Sequence, residues 1–254
     1  MGALAATGQP KYQQGFGPLP AGFRFVKFGD IEALRAAVSE KTCAVMLEPV
    51  QGEAGLLVPP GDYLKNVREL CDRTGALMLL DEVQAGMGRT GKLFAHEWFE
   101  VAPDAMSLAK GIAGGMPLGA LLATDALAKV LTPGTHASTF GGNPIATAVA
   151  CAVMEQLDDA LLKQIVARGE YLAKGLRGLG AVTPRVSGER GMGLWRGLLL
   201  AEDLAPKVVA KAREKGLLVN AVGERVIRIA PALTIGEDEL ARAVELLGQA
   251  VAEA

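Results

Sequence analysis

The stretch "SLAKGIAGGMPLGA" (107–120) sets one charged side chain, Lys110, between an apolar run and a series of glycines. An amine kept from water by apolar neighbours gives up its proton more easily, and a neutral amine is a nucleophile that condenses with aldehydes. Two other apolar runs also end on polar groups. "AVMLEPVQGE" (44–53) closes on Glu48, Gln51 and Glu53, and "ALMLLDEVQAGMGRTG" (76–91) closes on Asp81, Glu82 and Gln84. Any one of these acids, taken singly, reads equally well as a capping or solvated side chain. Together they place carboxylates and an amine on the rim where open α/β sheets bind ligands, beyond the carboxyl ends of the strands. An aspartate on that rim can face a protonated ring nitrogen. "STFGGNPIATAV" (138–149) adds the hydroxyls of Ser138 and Thr139, two glycines and an Asn143-Pro144 helix start, a combination suited to an anion. Many helices begin with Asn-Pro and bind nothing, so this segment is weak by itself.

These residues need elements to hold them, and the chain predicts alternating strands and helices. A short amphipathic helix over 30–40, capped by Asp30, precedes a buried strand over 42–50. A helix over 61–75 ends at Gly75, a strand follows over 76–82, and "DAMSLA" is a third short strand. Continuous apolar strands alternating with helices predict an α/β fold, a mostly parallel sheet with helices on both faces. After a helix over 143–157 the pattern changes. A helix, two or three short strands around 182–200, a helix near 204–215, the strand "RVIRIA" and a last helix from 236 predict a small C-terminal α+β domain. The expected division is thus a large domain over 1–157 and a smaller one over 158–254.

Composition narrows the function classes. Of 254 residues, 50% are hydrophobic and 21% charged, enough apolar material for a sizeable core. With 26 Lys+Arg against 28 Asp+Glu and no long run of like charge, neither a nucleic-acid footprint nor an electrostatic membrane contact is expected. No apolar run has the length of a membrane span, and the start shows no signal-peptide pattern. Cys43, Cys71 and Cys151 are far apart, lack metal-type spacing and read as reduced, buried thiols of a cytoplasmic protein. No Gly-x-Gly-x-x-Gly opens a helix after a strand, which argues against a nucleotide-binding oxidoreductase.

A Schiff-base amine, an acid for a pyridinium nitrogen and a place for a phosphate are together what pyridoxal phosphate requires. The segments "LEPVQGEAGLLVPP", "LLDEVQAGMGRTGKLFAHE", "SLAKGIAGGMPLGA", "GTHASTFGGNP" and "AREKGLLVNAVGERVIRIAPALTI" run in order across nearly the whole chain. In these the chain resembles the class III (fold type I) pyridoxal-phosphate aminotransferases, and most of all the members acting on N-acetylornithine. The resemblance implies that Lys110 holds the cofactor and moves the proton, with Asp81 facing the pyridinium nitrogen. It further implies that Gln84 bonds the ring's phenolic oxygen, Val83 packs on the ring face, and Ser138 and Thr139 serve the phosphate. Thr139 would reach the cofactor of the other subunit, which implies a homodimer with shared sites. Arg228, which by its residue pattern alone reads as a surface arginine on a strand, would bind a substrate carboxylate. Glu53 would be the gate that pairs with it in turn, and Glu48 a support to the ring-side network. His136 reads as structural.

The implied reaction carries the terminal amine of N-acetylornithine to 2-oxoglutarate, giving glutamate, in arginine biosynthesis. Ornithine, succinylornithine and 4-aminobutyrate aminotransferases share the same chemistry and stay open as alternatives. Family members are longer, and "MGALAATGQPKY" resembles the stretch that follows the family's Phe-His-Gly-Arg-Thr motif. The chain is therefore expected to begin inside the large domain, without the stacking aromatic, the main glycine-threonine phosphate loop, the arginine for the far carboxylate and at least one strand. A non-catalytic remnant is the rival expectation.

Overall fold

The structure, a computed structural model, describes residues 1–254. Two short helical turns, α1 (Gly2–Ala5) and α2 (Pro10–Gln13), lead to α3 (Ile31–Ala37), whose first turn is capped by Asp30 accepting from the Ala33 N–H at 2.9 Å. Strand β1 (Ala44–Leu47), helix α4 (Tyr63–Thr74) and strands β2 (Leu77–Asp81), β3 (Ala105–Leu108) and β4 (Ala120–Ala123) build the first sheet, in the order β1-β2-β3-β4. The first three strands are parallel and β4 runs antiparallel to β3.

Helix α4 carries an apolar stripe of Tyr63, Leu64, Val67, Leu70 and Cys71, the spacing that keeps side chains on one helix face. That stripe packs with Leu34, Val45, Met78, Leu80 and Met106. Gly75 ends the helix at φ +72°, a left-handed cap that glycine adopts without a Cβ clash. The other face of the sheet is open in places, with Met46 54% exposed.

After α5 (Asp125–Ala128), helix α6 (Pro144–Gln156) begins as its sequence dictates. Asn143 accepts from the Ala146 N–H at 2.9 Å, and Pro144 fills the first helical position. Helix α6 packs against the short turn that follows β3, yet buries only Ala146. Leu121, Val130, Phe140 and Ile145 stand exposed.

Two of the three cysteines depart from the expected burial. Cys43 and Cys151 are exposed, whereas Cys71 is buried on the inner face of α4. Cys43 precedes an edge strand and Cys151 lies on the open side of α6, so apolar sequence neighbours did not bring cover. No helix is long and apolar enough to cross a membrane.

Helix α7 (Asp159–Val182), strands β5 (Val186–Met192) and β6 (Trp195–Leu200), helix α8 (Ala205–Glu214), strands β7 (Asn220–Val222) and β8 (Val226–Ile229) and helix α9 (Glu237–Glu253) follow. Their strands form a second, fully antiparallel sheet in the order β5-β6-β8-β7. Alternation sorts its faces. Leu198, Leu200, Ile227 and Ile229 join Ile165, Leu172 and Leu176 of α7 and Leu240 and Leu247 of α9 in one core. The opposite face carries Trp195, Gly197 and Arg228, and Trp195 packs with Val50, Leu56, Ala85 and Ala95 of the first part of the chain.

The two sheets are joined where backbones touch. A Cβ on Gly169, in the middle of α7, would lie 2.3 Å from the Gly193 carbonyl oxygen in the β5–β6 turn, and one on Gly193 would lie 2.5 Å from Thr90 C. Arg89 completes the joint, donating through Nη1 to Leu194 O at 3.1 Å and Pro231 O at 2.6 Å. Its burial pulls the guanidinium pKa down to about 10. Gly169→Ala is therefore expected to lower the unfolding free energy by about 2 kcal/mol in urea denaturation. The overpacking outweighs the roughly 1 kcal/mol that alanine normally gains over glycine in a helix.

Candidate active site

Strands β2 and β3 end side by side, with Asp81 in register with Ser107. Met78 and Leu80 are buried in the α4 core, so alternation turns Asp81 to the other face. There its Oδ1 accepts from the Val83 N–H at 2.9 Å and from the Ser107 hydroxyl at 3.2 Å, leaving Oδ2 without a partner in the chain. Ser107 was missed in the sequence. Its signal was available, as the hydroxyl of an otherwise apolar strand.

Glu82 follows Asp81 directly and must point the opposite way. It is 1% exposed, and its carboxylate accepts from the N–H groups of Ala95 at 2.9 Å and His96 at 2.8 Å, with His96 Nδ1 at 2.9 Å. It holds the short helical turn Ala95–Phe99 in place. Glu82 thus leaves the rim on which its sequence position had put it.

Lys110 lies just past the end of β3 and opens a tight 3₁₀ turn over Lys110–Ala113. Its φ of +51° is a left-handed value that non-glycine residues seldom take, and such strain gathers at functional positions. The expected desolvation is overturned, because Lys110 is exposed. The turn and the positive-φ glycines Gly114 and Gly115 carry the chain away, so apolar sequence neighbours do not become neighbours of the amine. No hydrogen bond or ion pair within the chain engages Nζ.

Arg228 and Glu53, 175 residues apart, meet in an ion pair at 2.6 Å. Gln84 bridges them, donating from Nε2 to Glu53 Oε1 at 3.2 Å while its Oε1 accepts from Arg228 Nη1 at 3.4 Å. The bond from Arg228 holds the Glu53 carboxyl below its usual range against the opposing effect of partial burial, and Lys110 adds a weaker pull. Glu48 is shifted the other way. Burial raises it most, the Gly52 N–H bond at 3.1 Å opposes, and Asp81 and Glu53 push it up further.

A depressed carboxyl pKa contributes stability that is present above the unfolded value and lost as pH falls through the folded one. Wild-type chain is thus expected to lose the Glu53–Arg228 contribution below about pH 4, while Glu53→Gln lacks that dependence. Glu53 is 51% exposed and screened, so the difference in denaturation experiments should stay under about 1 kcal/mol.

The remaining expected residues divide. Val83 lies beside Asp81, to which its backbone is bonded. Ser138 and Thr139 sit with His136 in an exposed loop, and no hydrogen bond joins their hydroxyls to the rim. The structure therefore brings together Lys110, Asp81, Gln84, Glu53, Arg228 and Glu48, and leaves Ser138 and Thr139 outside.

This donor set fits pyridoxal phosphate at two points. Asp81 Oδ2 is an unpaired carboxylate oxygen, held in place through Oδ1 and available to a protonated ring nitrogen. Lys110 offers an unpaired amine from the neighbouring strand end.

A strand-end amine and carboxylate on a parallel sheet thus stand near an arginine presented by a second, antiparallel sheet. The profile of the class-III aminotransferases matches residues 1–251, and the chain belongs to that family. The acetylornithine aminotransferase of Caldanaerobacter subterraneus is 47% identical over 253 residues, 99% of this chain and 64% of that protein. That of Mycobacterium bovis is 48% identical over 241 residues, 94% and 60% of the two chains. Among solved structures, the ornithine aminotransferase of Toxoplasma gondii superposes with a TM-score of 0.92 at 34% identity, covering 99% of this chain and 61% of that one. The N-acetylornithine aminotransferase of Stenotrophomonas maltophilia gives 0.85 at 38% identity, covering 91% and 62%. The fold is that of the fold type I transferases. The chain spans roughly three fifths of the length of these relatives.

Proposed function

We propose that this chain carries the lysine, aspartate and gate arginine of a pyridoxal-phosphate aminotransferase that passes the terminal amine of N-acetylornithine to 2-oxoglutarate, yielding the semialdehyde and glutamate. Identity of 47–48% to acetylornithine aminotransferases supports this donor. The observation that carries the reaction type is the pairing of an oriented Asp81 with the free amine of Lys110 at adjacent strand ends.

Pyridoxal phosphate, when bound, supplies an aldehyde for amine exchange and a protonated ring that draws electrons from the reacting carbon. Asp81 Oδ2 would hold the proton on the ring nitrogen, and Ser107 and the Val83 N–H keep Oδ1 from rotating away. Val83 would pack on the ring face, and the second N–H of Gln84 would serve the phenolic oxygen. Lys110 Nζ would hold the cofactor and serve as the base for the proton on the carbon that bears the departing amine. Arg228 pairs with Glu53 while the amine donor occupies the site, then exchanges Glu53 for a carboxylate of 2-oxoglutarate. Glu48 supports the same network through Gly52.

Ser138 and Thr139, exposed and outside the rim, would bind the phosphate in a second copy. Exposed Leu121, Val130, Phe140 and Ile145 support such a homodimer. The division into a large domain over 1–157 and a small one over 158–254 and a cytoplasmic location belong to the same proposal.

The test adds pyridoxal phosphate to the chain, reduces with borohydride and maps the modified peptide. Label on Lys110 supports the reading; no label, or label scattered over surface lysines, overturns it. Ornithine is the second donor to compare, because the backbone superposes better on an ornithine aminotransferase, 0.92 against 0.85. The ratio of kcat/KM for the two amines separates them.

A further inference from the structure

Arg190, Gly197 and Arg228 form one row across the second sheet, since Arg190 pairs with Gly197 and Gly197 with Arg228. Directly opposed residues of antiparallel strands share a face. Two guanidinium side chains therefore flank a glycine, on strands roughly 10 Å apart. The space between them is filled by the loop 51–57. A Cβ on Gly197 would lie 3.3 Å from Leu56 Cδ2 and 3.7 Å from Gly55 O.

The two arginines grip that loop differently. Arg228 holds the Glu53 carboxylate at 2.6 Å, and Arg190 Nε donates to the Gly55 carbonyl, also at 2.6 Å. Arg190 makes no ion pair, and its Nη2 lies 2.7 Å from where a Cβ of Gly55 would stand. The loop needs holding. Gly55 has φ +94°, and Leu56, fully buried, has φ +61°, a strained value for leucine. Internal bonds close its base, with Gln51 and Leu57 exchanging N–H···O bonds at 3.0 and 2.9 Å. The tie from its tip carbonyl to the second sheet is the Arg190 bond.

We propose that Arg190 is a positioning residue: by holding the Gly55 carbonyl it presents Glu53 to Arg228, and so sets how readily Arg228 trades Glu53 for a substrate carboxylate. Glu53 is two residues from the held carbonyl, so release at Gly55 moves the gate carboxylate directly. The consequence for substrates rests on the functional reading above; the positioning itself does not.

Hydrogen exchange on the full chain without ligands tests the positioning. Arg190→Met keeps the length of the stem and removes the donors. It should speed exchange of the Gln51 and Leu57 amides by about tenfold while amides of β6 and β8 are unchanged, and Arg190→Lys should recover part of the protection. Unchanged loop exchange overturns the proposal, as does equal loss of protection in the loop and in β6 and β8. Kinetics test the consequence. Arg190→Met should shift the ratio of kcat/KM for donor and 2-oxoglutarate in the same direction as Glu53→Gln, and add nothing further in the double variant. Effects that multiply in the double variant overturn it. A wild-type chain without turnover counts against the functional reading alone, and exchange then decides the positioning by itself.

Discussion

Replacing Lys110 by alanine is expected to cut transamination by about ten-thousand-fold and to abolish the borohydride-stable label, while leaving the fold intact. The two halves of this result have different physical sources. The rate loss follows because Lys110 Nζ is the amine at the reacting end of β3, and removing it takes away both the nucleophile and the proton carrier. The fold survives because the side chain is exposed and makes no bond within the chain, so its removal should alter the unfolding free energy by no more than about 0.5 kcal/mol. Lys110→Arg should be as inactive as the alanine variant, since a guanidinium stays protonated and cannot act as a neutral amine. Steady-state rates and denaturation curves on the same preparations check both halves. Substantial activity in Lys110→Ala would remove Lys110 from the mechanism.

The second large effect is expected at Asp81. Asp81→Asn preserves the shape of the side chain and its acceptance from the Val83 N–H and the Ser107 hydroxyl, and removes only the charge behind Oδ2. Loss of a preorganised charge facing a ring nitrogen should lower kcat by about 10²–10³-fold with little change in stability. Asp81→Ala should lose activity likewise and also destabilise the chain by about 1–3 kcal/mol, because the two donors to Oδ1 are left unpaired. The contrast between the variants separates the electrostatic role from the structural one. Equal stability loss in both, with kcat unchanged in the asparagine variant, would make Asp81 a strand-end brace.

The Asp81 prediction depends on where alternation sends adjacent acids, and this shows how much of the site was legible beforehand. Asp81 and Glu82 are neighbours in "LLDEV", and an extended chain points them to opposite faces. Asp81 reaches the rim, whereas Glu82 is buried and bonded to Ala95 and His96. Treating the strand end as one polar cluster hid that difference, although the two-residue period already contained it. Ser107 was legible in the same way and was passed over. The partnership of Arg228 with Glu53 was not legible from local pattern. Glu53 stands in the loop after β1 and Arg228 on a strand of the second sheet, and only the packing of Trp195, Gly197 and Arg228 against the 51–57 loop brings them together.

The same limit explains the elements. Strands β1, β2 and β3 and helices α4, α6 and α9 were readable because continuous apolar runs, a helical stripe, Gly75 and the Asn143-Pro144 start act within a few residues of themselves. The pairing of strands β4 and β7, antiparallel to β3 and β8, depends on a partner strand rather than on their own composition. Lys110 gives the sharpest contrast. Its place at the end of an apolar strand and ahead of glycines was determined by sequence alone. Its exposure was decided by the tertiary structure, because the turn that the glycines permit carries the following chain away from the amine, and burial depends on what packs in space rather than on what stands next in the chain.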